Sequence, residues 1–328
     1  MISGIINVRK EAGYTSFDVV ALLRGITRQK KIGHTGTLDP DATGVLPVCF
    51  GAATKLCDYL TDKVKEYEAT FKLGIETDTQ DISGTVISEK NVTMVNITDS
   101  EAYISREKLE ECIMSFVGKI EQIPPMYSAI KVDGKKLYEL AREGKEVERK
   151  PRSIEIFGIE IKSIDEENCE AVIRVECSKG TYIRTLCYDI GRKLGCGATM
   201  TSLVRTKSGN FELEDALTIE QIEDMLVDIP FEIELPARRD KRLRKARDPE
   251  KVAKALESVT IPVDKVFENY PELQVEGEQL RRVLNGNYVN HNYIGDCIRV
   301  YGPDRKFMAI YEFSKRDNKY KPQKMFLD

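Results

Sequence analysis

The sequence predicts an α+β fold: a mixed sheet flanked by helices and loops, followed by a small β-rich unit. Three observations carry that prediction. Strand-like and helix-like segments alternate irregularly, without the strict βαβ order of a parallel doubly wound fold. Hairpin signals recur, as at IDEEN between two strand-like runs. Residues 259–328 are rich in Val, Ile, Tyr and Phe, and the turns LNGN, YIGD and YGPD punctuate them.

The elements follow in chain order. Residues 3–8 read as a strand, and Ser16 caps a helix carrying Phe17, Val20 and Leu23. Residues 32–51 have no helical period; glycines and prolines mark a long ordered loop that runs into a buried apolar strand. Thr54 to Leu60 reads as a short helix. Residues 65–73 alternate, with Tyr67, Ala69, Phe71 and Leu73 on one face, so they form a half-buried strand. Leu109, Cys112, Ile113, Phe116, Val117 and Ile120 follow helical spacing. Lys135 to Glu143 is a second helical piece, and residues 152–163 and 170–177 form a hairpin. Arg184 to Leu194 is helical with Leu186, Ile190 and Leu194 inward. Thr218 and Gln221 make a capping box, and Asp248-Pro249 opens another helix.

Composition narrows the function. The 328 residues suit about two domains at ~150 residues each. No apolar run approaches the ~18 residues of a membrane span, and the first residues lack the pattern of a signal peptide. Eight cysteines without CxxC spacing fit reduced thiols in the cytoplasm rather than a disulfide framework or zinc site. Only His34 and His291 are histidines, so a histidine metal centre is disfavoured. The expected chemistry uses carboxylate, hydroxyl and arginine groups, with no metal and no cofactor. The net charge of −4 argues at first against nucleic acid.

Two segments stand out for chemistry. In GHTGTLDPDATG, residues 33–44, LDPD by itself is a turn, yet a glycine-punctuated loop beside an apolar strand also presents a side chain to a cleft. In CSKGTYIRTL, residues 177–186, Arg184 sits between a strand end and a helix start. There it is either solvent-facing or the bidentate partner of a carboxylate. Tyr67 is either a core ring or an aromatic face at a site.

These segments carry a family resemblance. GHTGTLDPDATGVLPVCFGAATK, KEYEATFKLGIETDTQDISG, IPPMYSAIKVDGKKLYELAREG and CSKGTYIRTLCYDIGRKLGCGATMTSLVRTKSG resemble, in order, four motifs of the bacterial TruB family of tRNA pseudouridine synthases. The resemblance spans roughly residues 1–225 and is weaker toward the C-terminus. It implies a pseudouridine synthase fold with a mixed, largely antiparallel sheet. Residues 1–235 would be the catalytic domain, with an RNA-binding insertion at 123–152. Residues 236–258 read as a basic linker or insertion, and 259–328 as a PUA-like RNA-binding domain.

The implied reaction breaks the N1–C1′ bond of the T-loop uridine, at tRNA position 55, and rejoins the base through C5. Asp39 falls on the family's catalytic aspartate, Arg184 on the arginine expected to keep it ionised, and Tyr67 on the tyrosine that stacks on uracil. His34, Tyr182, Leu203, Lys10 and Arg142 fall on substrate-binding positions or in the insertion. Glu11 replaces the proline usual after Lys10. The implied partner is the T-arm of tRNA, met by a cytoplasmic monomer. The rivals are a tRNA-folding factor with incidental catalysis, a guide-dependent dyskerin-type synthase, and a glycoside hydrolase. The last needs a second carboxylate, for which Asp41 is the only local candidate.

The charge objection weakens on inspection, because the charge is segregated. Residues 76–122 hold ten acidic and four basic residues, and 212–234 hold nine acidic and none basic. Residues 238–247 hold seven basic and one acidic, and 299–328 hold eight basic and four acidic. The run 238–247 reads either as a solvated helix face pairing with the acidic stretch or as an extra RNA-backbone contact.

Overall fold

The computed structural model describes residues 1–95, 102–132, 134–236 and 243–327. At its centre lies a nine-stranded sheet. Its strands are β1 (Gly4–Lys10), β2 (Ile32–His34), β3 (Thr43–Phe50), β4 (Lys65–Leu73), β5 (Gly118–Gln122), β6 (Arg152–Asp165), β7 (Glu170–Cys177), β8 (Ala198–Ser208) and β9 (Phe211–Glu212). The order is β1-β3-β8-β4-β7-β6-β5, with β2 also on β3 and β9 on β8. Every pairing is antiparallel except β3 with β8, which run parallel at Val204–Thr43 and Arg205–Gly44. This is the mixed, largely antiparallel sheet the sequence predicts.

The helices pack on the sheet in two groups. In one, α2 (Arg106–Met114) and α3 (Ile183–Leu194) bury Leu109, Ile113, Leu186 and Ile190 against Phe71, Ile173 and Val175. In the other, α1 (Ser16–Thr27), α4 (Ile219–Asp224) and α5 (Pro249–Ala255) pack Val19, Leu23, Ile222 and Val252 against Ile6, Val8, Leu46 and Val48. Apolar burial of this kind contributes about 25 cal/mol per Å².

The C-terminal region is β-rich, as expected, and also carries a helix. Strands β10 (Glu272–Gln274), β11 (Cys297–Tyr301), β12 (Phe307–Ser314) and β13 (Lys319–Met325) form a sheet in that order, beside α6 (Gly277–Leu284). Val283, Ile298, Val300, Tyr311 and Tyr320 close its own core. Val263, Phe267, Ile310 and Phe326 join it to Ile5, Val45 and Leu56 of the larger body.

Three local readings change. The cap of α1 is Thr15, whose hydroxyl and backbone form a reciprocal box with Asp18; Ser16 instead accepts from Leu38 N at 2.9 Å. The helical spacing seen through Ile120 ends at Met114. Gly118, at φ +111°, turns the chain into β5, and Ile120 pairs with Ile154. Of the basic run, 238–242 lie outside the described residues, and Leu243–Arg247 is a strand paired with Phe231–Pro236, not a helix.

Candidate active site

The loop between β2 and β3 carries Asp39. Its shape is set by what holds its carbonyls. Lys10, fully buried at the end of β1, donates from Nζ to the carbonyls of Glu11 (3.0 Å), Pro40 (2.8 Å) and Ala42 (2.6 Å). Arg205, on β8, donates from Nε to Val45 O at 2.7 Å and from Nη2 to Gly36 O at 3.3 Å. Gly44 is at φ +108°, and a Cβ there would lie 2.2 Å from Arg205 O, so only glycine allows this close approach. Lys10 thus holds the loop from within.

Arg184 enters from α3. Its Nη2 lies 3.3 Å from Asp39 Oδ1 and donates to Tyr127 O at 2.6 Å. Its Nη1 lies 3.6 Å from Asp81 Oδ2. The Arg184 side chain is 5% exposed and that of Asp39 is 37% exposed, so the carboxylate faces outward with the guanidinium behind it. One arginine thus bridges two carboxylates, Asp39 and Asp81, and Asp41 also acts on the Asp39 carboxyl. Asp81 is itself fixed by the hydroxyl of Thr79 at 2.8 Å and the backbone N–H of Ser83 at 3.1 Å.

The electrostatics differ from the expectation in one respect. Arg184 pulls the Asp39 carboxyl pKa down, as expected, but burial outweighs it and Asp81 adds to the rise, so the net shift is upward. Burial also lowers Lys10 to about 8, against the pull of Asp41 and Asp39.

The remaining expected residues distribute as follows. Tyr67 is half-buried on β4, directly opposite Arg205 on β8 and Val175 on β7. Burial raises its phenol pKa, and Arg205 opposes that. Tyr67, Leu203, Leu38 and Ala42 share one apolar cluster under the loop. Tyr182 caps α3, with its backbone N–H bonded to Gln122 Oε1 at 2.8 Å and its ring 5.8 Å from the Arg184 guanidinium. His34 ends β2, half-buried with Nδ1 unpartnered, and burial lowers its pKa. Arg142 is exposed on the helix Leu137–Arg142, 5.4 Å from the Tyr138 ring.

A cleft of about 350 Å³ lies beside this site, lined by Asp78, Gln80, Tyr127, Lys145, Arg149 and Tyr188. Through Tyr127, the insertion therefore borders both the cleft and Arg184. Sequence reasoning did not single out Asp81, Gln122 or Arg205. For Arg205 simple alternation gave no signal: it groups with Thr199, Thr201 and Lys207, and only the bulge between Met200 and Ser202 puts it on the apolar face of Met200 and Leu203.

With the geometry in place, the comparisons with known proteins converge. The family profile for TruB family pseudouridylate synthase (N terminal domain) matches residues 24–183, and that for the tRNA pseudouridylate synthase B C-terminal domain matches 184–268. The tRNA pseudouridine synthase B of Lachnoclostridium phytofermentans is 47% identical, over 99% of this chain and 100% of its own length. That of Clostridium kluyveri is 40% identical, over 99% and 100%. Among solved structures, a Cbf5–Nop10–Gar1 complex aligns at TM-score 0.67 and 24% identity, over 99% of this chain and 85% of that one. An H/ACA RNP bound to a substrate RNA aligns at TM-score 0.64 and 22% identity, over 99% and 85%. These structural likenesses establish a shared fold.

Proposed function

The chain belongs to the TruB family of pseudouridylate synthases, and on that premise we propose that it isomerises uridine 55 in the T-loop of tRNA to pseudouridine. The observation that carries the reading is the outward carboxylate of Asp39, 3.3 Å from a guanidinium that is almost fully buried. A half-buried reactive group that still reaches solvent, over a fixed cation, suits attack on a nucleotide brought to it from outside.

The target uridine leaves its stack to reach that carboxylate, since base chemistry inside a folded RNA requires extrusion. Asp39, ionised, supplies the negative charge that acts as the N1–C1′ bond breaks. Arg184 holds the carboxylate in place through the reaction. The freed base turns while Tyr67 offers its ring face; C5 then bonds C1′, C5 loses its proton, and N1 gains one. Tyr182 and Leu203 line the pocket for the uracil, and His34 contacts the RNA beside it. The insertion, with Arg142, and a PUA-like C-terminal region would hold the T-arm by its phosphates and shape. Acting on tRNA, the enzyme would work in the cytoplasm.

The test needs only the protein and an unmodified tRNA transcript, without ATP or added metal. Mapping is expected to find one pseudouridine, in the T-loop. No product, or product at another position, refutes the reading.

A further inference from the structure

We propose that Arg205 is a positioning residue of the reaction, one guanidinium that keeps the Asp39 loop and the Tyr67 ring in a single frame. The inference rests on the pseudouridine synthase reading above.

Arg205 is 1% exposed, and among the described residues its guanidinium bonds go to backbone carbonyls and not to a carboxylate. Its bonds go instead to the two ends of the loop, to Gly36 O at 3.3 Å and Val45 O at 2.7 Å. Asp39 lies between those ends. On the adjacent strand, Tyr67 is its direct cross-strand partner. Opposed residues of an antiparallel pair put their side chains on the same face about 5 Å apart. The two groups expected to act on the uridine are thus both referred to one side chain.

A buried cation without a carboxylate is costly, and neighbouring cations raise that cost. Lys10 and Lys65 lie in its field; burial and the Arg205 charge lower both to about 8. Two carbonyls could be tied by a neutral amide at less cost. What the guanidinium adds is a rigid planar fork with donors in fixed directions. The glycines of the loop agree with this. Gly44 lies against the Arg205 backbone, and the nearest atom to a Cβ on Gly36 would be Arg205 Nη1, at 3.7 Å.

The experiment compares the full chain with Arg205→Met and Arg205→Lys on the unmodified tRNA transcript. It measures the single-turnover rate of pseudouridine formation, tRNA affinity by filter binding, and thermal melting. Arg205→Met is expected to cut the rate about 100-fold with tRNA affinity held within about threefold, the signature of a misplaced reacting group. Arg205→Lys keeps the charge but not the fork, and is expected to recover part of the rate. Should Arg205→Met not fold, the lysine variant decides: folded and at the wild-type rate, it overturns the proposal. So does a folded methionine variant whose rate stays near wild type or falls only in step with tRNA affinity. If the wild-type protein itself makes no T-loop pseudouridine, the failure belongs to the function assigned above and not to Arg205.

Discussion

Asp39 is the residue on which the chemistry turns, and its environment makes pH a direct probe. Burial raises its carboxyl pKa while Arg184 restrains the rise. Activity needs the ionised form, so the rate should fall toward acid pH from a point above the usual carboxylate range. Arg184→Met removes the restraint, and its acid limb is expected at higher pH. With the cation gone, turnover should also drop by about 10²–10³-fold, the range for losing one preorganised electrostatic partner. Rates against pH for both proteins check this; an unmoved acid limb counts against the pairing. The stability sign follows from the same shift. A carboxyl whose folded pKa lies above its unfolded value weakens the fold as pH rises between the two. Asp39→Asn is therefore expected to abolish turnover, keep tRNA binding, and melt no lower than wild type at neutral pH. Lys10 governs the other limb. Its ammonium feeds three carbonyls around Asp39 and is lowered to about 8. A neutral amine has only two N–H donors. The rate should decline above about pH 8, and Lys10→Arg, which keeps its charge, should lose that decline.

Elements set how well these residues hold their places, and they also show where the sequence was readable. The loop, β4 and α3 were legible because each announces itself locally, by glycine spacing, alternation or helical period. What joined them was not. Asp39 and Arg184 lie 145 residues apart, and nothing local states that they meet. Asp81 sat inside a recognised motif, but its role follows only from the turn beyond β4 and α3 bringing Thr79 and Arg184 together. Likewise, the run from Leu109 to Ile120 kept one apolar face while changing from helix to strand, so its period concealed the break at Gly118. The placement of α3 gives a test at this scale. A Cβ on Gly191 would lie 2.1 Å from Ala198 N and 2.3 Å from Gly197 C, so α3 sits directly on the chain entering β8. Gly191→Ala is expected to destabilise the protein by about 1–3 kcal/mol through overpacking, measured by denaturant unfolding. A change of about 0.5 kcal/mol or less, the level of a neutral surface substitution, would refute that account of the contact.

Over the whole molecule, the net charge of −4 hides which cations are available to an RNA. The insertion, residues 123–152, holds eight basic and five acidic residues, and much of its basic charge is already paired. Lys135 and Lys145 both pair with Glu143, at 3.4 and 2.8 Å, and Arg149 pairs with Glu146 at 3.1 Å. Lys136 and Arg142 instead flank the Tyr138 ring at 5.3 and 5.4 Å. Among the described residues, Lys131, Lys136, Arg142 and Lys150 have no ion-pair partner, so their counterions are free to leave when phosphates arrive. Each phosphate contact contributes about 0.7–0.9 to the slope of log affinity against log salt. Exchanging these four for glutamine is expected to weaken tRNA binding and flatten that slope by up to about 3, the sum of four such contacts. The chemical step on bound tRNA should change much less, because none of the four touches the Asp39–Arg184 pair. Filter binding across a salt series, beside single-turnover rates at saturating enzyme, separates the two effects. An unchanged slope would remove the insertion from the electrostatic footprint and leave the basic residues of 299–328 as the phosphate contacts.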